Sequence, residues 1–445
     1  MIPHLFRALA PSYAPRNHMG EDVTMLTRRW LFGLAGALLL ATPSLARTPQ
    51  DRSAAVEAAM RQLVEGNSTP GVVVLIQQDG RTVFAGGAGT REPGGGVPIG
   101  AGDMFRLASM TKIVTSVVAL TLVEEGRIGL DDPISRHLPD FANLRVRRED
   151  GSLAAATRAP TIRELMSHTA GFSYNFMNSA VGAAYREARV TDGLAHPEVT
   201  TEEAMRRLAA APLLFEPGSA FHYSLSTDVL GAVVERVTGR PLGSLVGERI
   251  ARPLGLESFM FRAPAALTER FVPVTRPARP ELALGLGVVP VRAAEAVPFP
   301  ATRGEAMLDP NRAFSATAYH SGGGGMSGTI TDYARFLTAL ARGGELDGVR
   351  ILRPESVRLI TENATGAMPT LRGPGWGHSL GAGVLLDPAA ARTRLPAGTW
   401  GWGGIYGTQF WVDPVNRVVG VVMTQTAVIG SGPVANLVRE AFYAE

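Results

Sequence analysis

The 445-residue sequence contains no cysteine. That excludes thiol catalysis, zinc–thiolate sites, disulfides and a bacterial lipoprotein anchor together. Lysine is nearly absent as well. Lys and Arg total 43, and one of them is Lys: Lys112. An arginine cannot lose its proton inside a protein, whereas a desolvated lysine can. A single surviving lysine therefore marks a place where the amine has to be neutral, unless base composition alone has left it behind. No basic run exists, and the net charge of +3 is too small to argue for nucleic acid. The apolar run 31–41 is too short to span a bilayer.

Apolar residues make up 45% of the chain, so it has the material for a large core. Near the N-terminus, Arg28 and Arg29 precede the apolar run, and small residues follow it up to Ala46. This is the pattern of a twin-arginine signal peptide over residues 1–46, with Met25 read as the true start. The expected location is the periplasm, with no stable membrane anchor.

The spacing of apolar residues predicts helices over 51–65, 109–125, 161–168, 201–210, 227–238, 242–250, 331–342, 354–362 and 434–443. Strands are expected over 71–78 and 81–88, joined at Asp79-Gly80, and near 379–386, 407–413 and 417–424. Residues 262–320 are rich in Pro, Arg and Ala and are expected to hold little regular structure. Strands near both termini predict one antiparallel sheet flanked by helices, an α+β fold. Its domain would comprise 47–130 and 321–445, with 131–320 inserted as a mainly helical domain.

Ser109 and Lys112 open the most apolar helix. Positions i and i+3 share a helix face, so hydroxyl and amine can meet. Ser109 could be a simple N-cap, but a capping box places Glu or Gln at the fourth position, and here it is Lys. A cation in the first turn opposes the helix dipole by roughly 0.3–1 kcal/mol. The pair reads as a nucleophile and its general base.

The stretch 105–112, Phe-Arg-Leu-Ala-Ser-Met-Thr-Lys, resembles the serine β-lactamase and penicillin-binding-protein superfamily. So do Leu165-Met166-Ser167-His168-Thr169-Ala170-Gly171 and Phe215-Glu216-Pro217-Gly218, and the resemblance extends over nearly all of 55–440. Its closest branches are the family VIII carboxylesterases and class C β-lactamases. The resemblance implies that Tyr223-Ser224-Leu225 stands for the family's Tyr-x-Asn. Tyr223 would relay a proton, and Leu225 would face substrate without the Asn. It further implies that Trp402-Gly403-Gly404-Ile405-Tyr406-Gly407 replaces Lys-Thr-Gly. The Ile405 and Ser109 N–H groups would form the oxyanion hole, with Trp402, Gly403, Gly404 and Tyr406 lining the substrate site.

Two other motifs compete. Gly377-His378-Ser379-Leu380-Gly381 fits the G-x-S-x-G elbow, but that fold needs a histidine after the serine, and His378 is the last one. Ser321-Gly322-Gly323-Gly324-Gly325 lacks the Lys-Ser/Thr of a phosphate loop and reads as a flexible loop near the site. His168 reads as structural, and His222 as a possible pocket residue beside Tyr223. The histidines have no metal-ligand spacing, so neither metal nor cofactor is expected. The reading is an exported serine hydrolase acting on small-molecule esters through an acyl-enzyme. A β-lactamase, a D-amino-acid peptidase or an acyltransferase on the same machinery are its alternatives, and a non-catalytic binding module is a remote one.

Overall fold

The computed structural model describes residues 49–279, 286–299, 302–427 and 433–444. The twin-arginine segment lies outside the described residues. Seven strands form one antiparallel sheet: β1 Gly71–Gln78, β2 Arg81–Gly89, β3 Trp376–His378, β4 Gly383–Leu385, β5 Trp400–Gly403, β6 Gln409–Asp413 and β7 Val418–Met423. Their order is β3-β4-β5-β6-β7-β1-β2. The first hairpin of the chain therefore pairs with its last strand, Leu75 opposite Val421.

Alternation along the strands sends side chains to two different cores. Val72, Val74 and Ile76 face the terminal helices Pro49–Glu65 and Pro433–Tyr443 together with Val418 and Val422. Val73 and Leu75 join Val419, Val421 and Met423 on the other face. There they meet the helices Thr111–Glu124 and Ile330–Ala341. This second core continues without a break into the middle of the chain, through Phe172, Val229, Leu245 and Ile250. The described residues of 131–320 add helices and short hairpins but no strand to the central sheet.

From Thr111 to Leu122 every residue of the central helix is buried. At about 1.5–3 kcal/mol for each fully buried large apolar side chain, that helix anchors the fold. It ends where Gly126 takes a positive φ of 68°, the usual left-handed stop.

The α+β reading holds, with local differences. The strand expected over 379–386 is broken by a turn. Ser379 Oγ accepts from the Ala382 N–H and donates to its carbonyl, both at 3.0 Å, so β3 and β4 form a hairpin around it. Residues 262–320 are more regular than their composition implies: Glu295–Phe299 pairs with Gly304–Leu308, and Thr275–Pro277 with Val288–Pro290. Pro277, Pro290 and Pro298 fit there because each pair stands alone, with no third strand asking for their missing N–H.

Gly420 of β7 lies opposite Trp411 of β6, and the indole covers it. A Cβ on Gly420 would come within 2.1 Å of the ring. Gly420→Ala should therefore cost about 1–3 kcal/mol in urea unfolding. Wild-type stability in that variant would show that the indole moves aside freely.

Candidate active site

Ser109 lies in a 3-10 turn, Ala108–Met110, that runs directly into the central helix. Ala108 has φ 46°, a left-handed conformation costing a non-glycine residue about 1–2 kcal/mol. The turn leaves Ser109 partly exposed between buried neighbours, so its hydroxyl faces the surface while Lys112, one turn on, is 2% exposed.

The structure brings Ser109, Lys112 and Tyr223 together. Lys112 Nζ is 3.3 Å from Ser109 Oγ, and the Tyr223 hydroxyl is 2.5 Å from the same oxygen. Lys112 also donates to the Gly323 carbonyl at 2.7 Å and to the Tyr174 hydroxyl at 2.8 Å. The Trp402 indole N–H points to the Tyr223 oxygen at 3.4 Å. In its charged form the amine donates to Ser109, Gly323 and Tyr174; once neutral it would offer its lone pair to Ser109 and keep two hydrogens for Gly323 and Tyr174.

Tyr174 has no signal in the sequence, because its partner is 62 residues away and no periodicity links them. Burial pushes its phenol well above the ordinary range, with Tyr223 and Asp228 adding to this, so it stays protonated. The glycine loop at 321–325 adjoins the site as expected, but it is fastened rather than flexible. Ser321 donates to Asp228 at 2.5 Å, Thr115 to the Gly322 carbonyl at 2.8 Å, and Lys112 to Gly323. Burial raises the Asp228 carboxyl, while the charge of Lys112 opposes the rise.

β5, which carries Trp402, stops at Gly403, and Ile405 sits in the turn into β6. Gly404 packs against the serine turn so closely that a Cβ would lie 2.5 Å from the Leu107 carbonyl and 3.0 Å from Ala108 Cβ. This contact sets the turn carrying Ile405 beside Ser109. Ser109 is among the first residues of its helical segment, where N–H groups lack intrahelical acceptors.

The aromatic wall differs from the expected one. Trp402 packs on Tyr223 at 5.3 Å between ring centres. Tyr406 is 3% exposed, and its charged neighbours are Arg106, Arg312 and Asp309 rather than the catalytic group. Leu225 is 2% exposed and begins the helix Ser226–Thr238 as part of the main core. Behind the Tyr223 and Trp402 rings lie His168, 4.9 Å from Tyr223, and His378, 5.0 Å from Trp402, both 2% exposed. His378 comes from the G-x-S-x-G stretch, whose Ser379 is fully buried in its turn. His222 is bound to Ser173 Oγ at 3.0 Å. A separate cavity of 740 Å³ opens between Trp400, Val412 and Leu340 and contains none of these side chains.

Burial holds both of these histidines neutral. It pushes His378 down to about 4, helped by Arg372 and Lys112, and His168 well below its usual range. His378 is protonated in the unfolded chain below about 6.5 but in the fold only below about 4. Between those values the unfolded state binds more protons, so stability falls as pH drops. Asp192 acts oppositely, since burial raises it to about 7 and the fold then takes up a proton across much of the same window. A His378→Asn variant separates the two. Between pH 8 and 4.5 the wild type should lose on the order of 2 kcal/mol more than the variant in urea unfolding. Equal losses would mean that His378 is charged in the fold.

Residues 56–443 match the family model described as Beta-lactamase. Esterase EstB of Burkholderia gladioli is 37% identical over 398 residues, covering 88% of this chain and 95% of that protein. Acyltransferase calJ of Penicillium decumbens is 27% identical over 368 residues, covering 78% and 81%. The solved structure of EstCE1, described as a hydrolase with promiscuous acyltransferase activity, aligns with a TM-score of 0.78 at 33% identity. That alignment covers 89% of this chain and 99% of the other. With Ser109, Lys112 and Tyr223 gathered at the mouth of its central helix, this chain belongs to the Beta-lactamase family.

Proposed function

We propose that this enzyme hydrolyses carboxylic esters through covalent acylation of Ser109. The observation that carries the proposal is the Lys112 amine, whose other two neighbours are both acceptors and whose remaining direction faces Ser109. In the neutral state its lone pair receives the Ser109 proton as the oxygen attacks the ester carbonyl. The new ammonium lies 4.8 Å from the Tyr223 ring centre and 5.4 Å from that of Tyr174, whose faces attract it. The N–H groups of Ser109 and Ile405 hold the oxyanion, each worth about 2.7–4 kcal/mol of barrier. Tyr223 passes a proton to the departing alkoxide, which leaves as the alcohol. Water then attacks the acyl-enzyme, giving a proton back through Tyr223 and Lys112, and the carboxylic acid leaves.

Ester rather than β-lactam chemistry is favoured by what surrounds the serine. The Asn of the family motif is missing, since Leu225 stands in its place and is buried in the main core, and an unmet buried substrate amide costs about 1–3 kcal/mol. Tyr223 and Trp402, backed by the neutral His168 and His378, give an ester an uncharged aromatic wall. The hydrolase and acyltransferase activities of EstCE1 support the ester reading, and with it an alternative fate in which an alcohol takes the acyl group in place of water.

A fluorophosphonate probe should label one peptide, that of Ser109; labelling of Ser379 would end the reading. Wild-type kcat/KM for p-nitrophenyl butyrate should exceed that for nitrocefin by at least about 100-fold, some 2.7 kcal/mol. Lys112→Arg, which keeps the charge but cannot give up its proton, should lose more than about nine-tenths of kcat. Retained activity in that variant would remove Lys112 from the role of base.

We further propose export by the twin-arginine route, with a mature chain beginning after Ala46. Arg28-Arg29, the run 31–41 and Ala46 support it. In a host with that pathway the wild type should reach the periplasm shortened, and an Arg28→Lys, Arg29→Lys pair should stay inside. Equal export of both would refute the route.

A further inference from the structure

The separate cavity of 740 Å³ has no part in the ester mechanism, and none of the groups gathered around Ser109 lines it. Its base is a row of directly paired positions on three neighbouring strands: Trp400 of β5, Val412 of β6 and Val419 of β7. Leu340 and Val357, from the helices Ile330–Ala341 and Pro354–Thr361, close it from above. All five are at most 6% exposed. Close packing leaves few voids larger than a water molecule inside a protein, whereas this volume lies in the range of small-molecule sites. Turns keep the space open. Gly343 and Gly398 line it at φ of 73° and 85°, left-handed turn positions that add no side chain to fill it.

The mouth is charged. Arg342, Arg358 and Arg417 line the cavity and are exposed. Arg417 is paired with Asp79, the exposed acid of the lining. The other acid, Asp413, is turned to the opposite face of the sheet. There it accepts from the Tyr443 hydroxyl at 2.9 Å and from the Val415 and Asn416 N–H groups. Among the described residues, the side chains of Arg342 and Arg358 form no hydrogen bond and no ion pair. Arg342 lies over the first hairpin turn, where a Cβ on Gly80 would come within 2.1 Å of its guanidinium. The space is therefore apolar at its base and carries two unmatched guanidinium groups at its mouth.

We propose that this cavity is a binding site for a single-chain fatty carboxylate, with the alkyl chain directed to the base and the head group held by Arg342 and Arg358. A planar guanidinium meets a carboxylate through two parallel N–H bonds. A cationic amphiphile of the same length would meet only repulsion at the mouth. The site is distinct from the ester chemistry. Trp400 and Trp402 are two residues apart on one face of β5, and the second is the one that reaches Tyr223. The inference stands whether or not Ser109 acts on esters.

Calorimetric titration of the full chain with dodecanoate, kept below its micelle threshold, is the test. Dodecanoate should bind, and dodecyltrimethylammonium, with the same chain and the opposite charge, should bind at least tenfold more weakly. A variant carrying both Arg342→Gln and Arg358→Gln should weaken dodecanoate binding at least tenfold. Both side chains are exposed, so its urea unfolding should match that of the wild type. Ala341→Trp, which puts an indole into the cavity from the end of its helix, should weaken binding as much. Should that variant fail to fold, the arginine pair decides alone. Dodecanoate held at Ser109 would persist in every variant, so the binding that these substitutions remove is the cavity's. No binding, equal binding of the cationic amphiphile, or binding unchanged in the arginine pair overturns the proposal. Dodecyl phosphate binding more tightly than dodecanoate overturns the choice of a carboxylate.

Discussion

The site depends on one buried amine and the two acceptors that hold it. The Gly323 carbonyl and the Tyr174 hydroxyl each take a hydrogen from Lys112, which fixes where its third direction points. Without them a four-carbon side chain would sample several rotamers, and the distance to Ser109 would fluctuate with it. The acceptors are themselves held. Gly323 belongs to a loop bonded to Asp228 and Thr115, and Tyr174 stacks on Phe176 with ring centres 4.5 Å apart. Orientation of the base is therefore a property of segments from three distant parts of the chain, and chemistry at Ser109 depends on all of them being folded.

The sheet supplies the other half. β5 presents Trp402 to Tyr223 and then turns at Gly404 against the backbone of Leu107 and Ala108. Thr408 Oγ1 donates to the Leu107 carbonyl at 3.1 Å and pins the same contact from the far side of the turn. Helix and sheet thus meet at the residues that must act together. The left-handed Ala108 is the local cost of aiming the serine into that seam.

How much of this was legible in the sequence follows from the range of the signals. Ser109 and Lys112 are three residues apart on one helix, so local spacing reveals them. Tyr223 is legible through its motif, and the outer hairpin through Asp79-Gly80. The α+β architecture follows from where the strand patterns lie along the chain. Tyr174, His168 and His378 leave no such trace, since each reaches the catalytic rings from a loop or hairpin whose position only tertiary packing sets. The elbow-like stretch at 377–381 shows the effect in both directions: its serine is a turn residue, while its histidine backs the aromatic wall. Tyr406 and Leu225 are placed differently for the same reason, because a motif fixes the backbone position of a residue and not the direction of its side chain.

The imbalance between arginine and lysine acquires a structural meaning in this setting. Buried cations elsewhere in the chain are arginines that keep their charge and are used for their shape. Arg106 donates to the carbonyls of Pro310 and Val272 and faces the rings of Phe271 and Phe314. Arg439 lies over Trp411 in the opposite core. A planar, weakly hydrated guanidinium can satisfy several carbonyls and stack on rings at once, which an ammonium cannot. At position 112 these virtues become faults, since a permanent charge there would leave Ser109 with nothing to receive its proton.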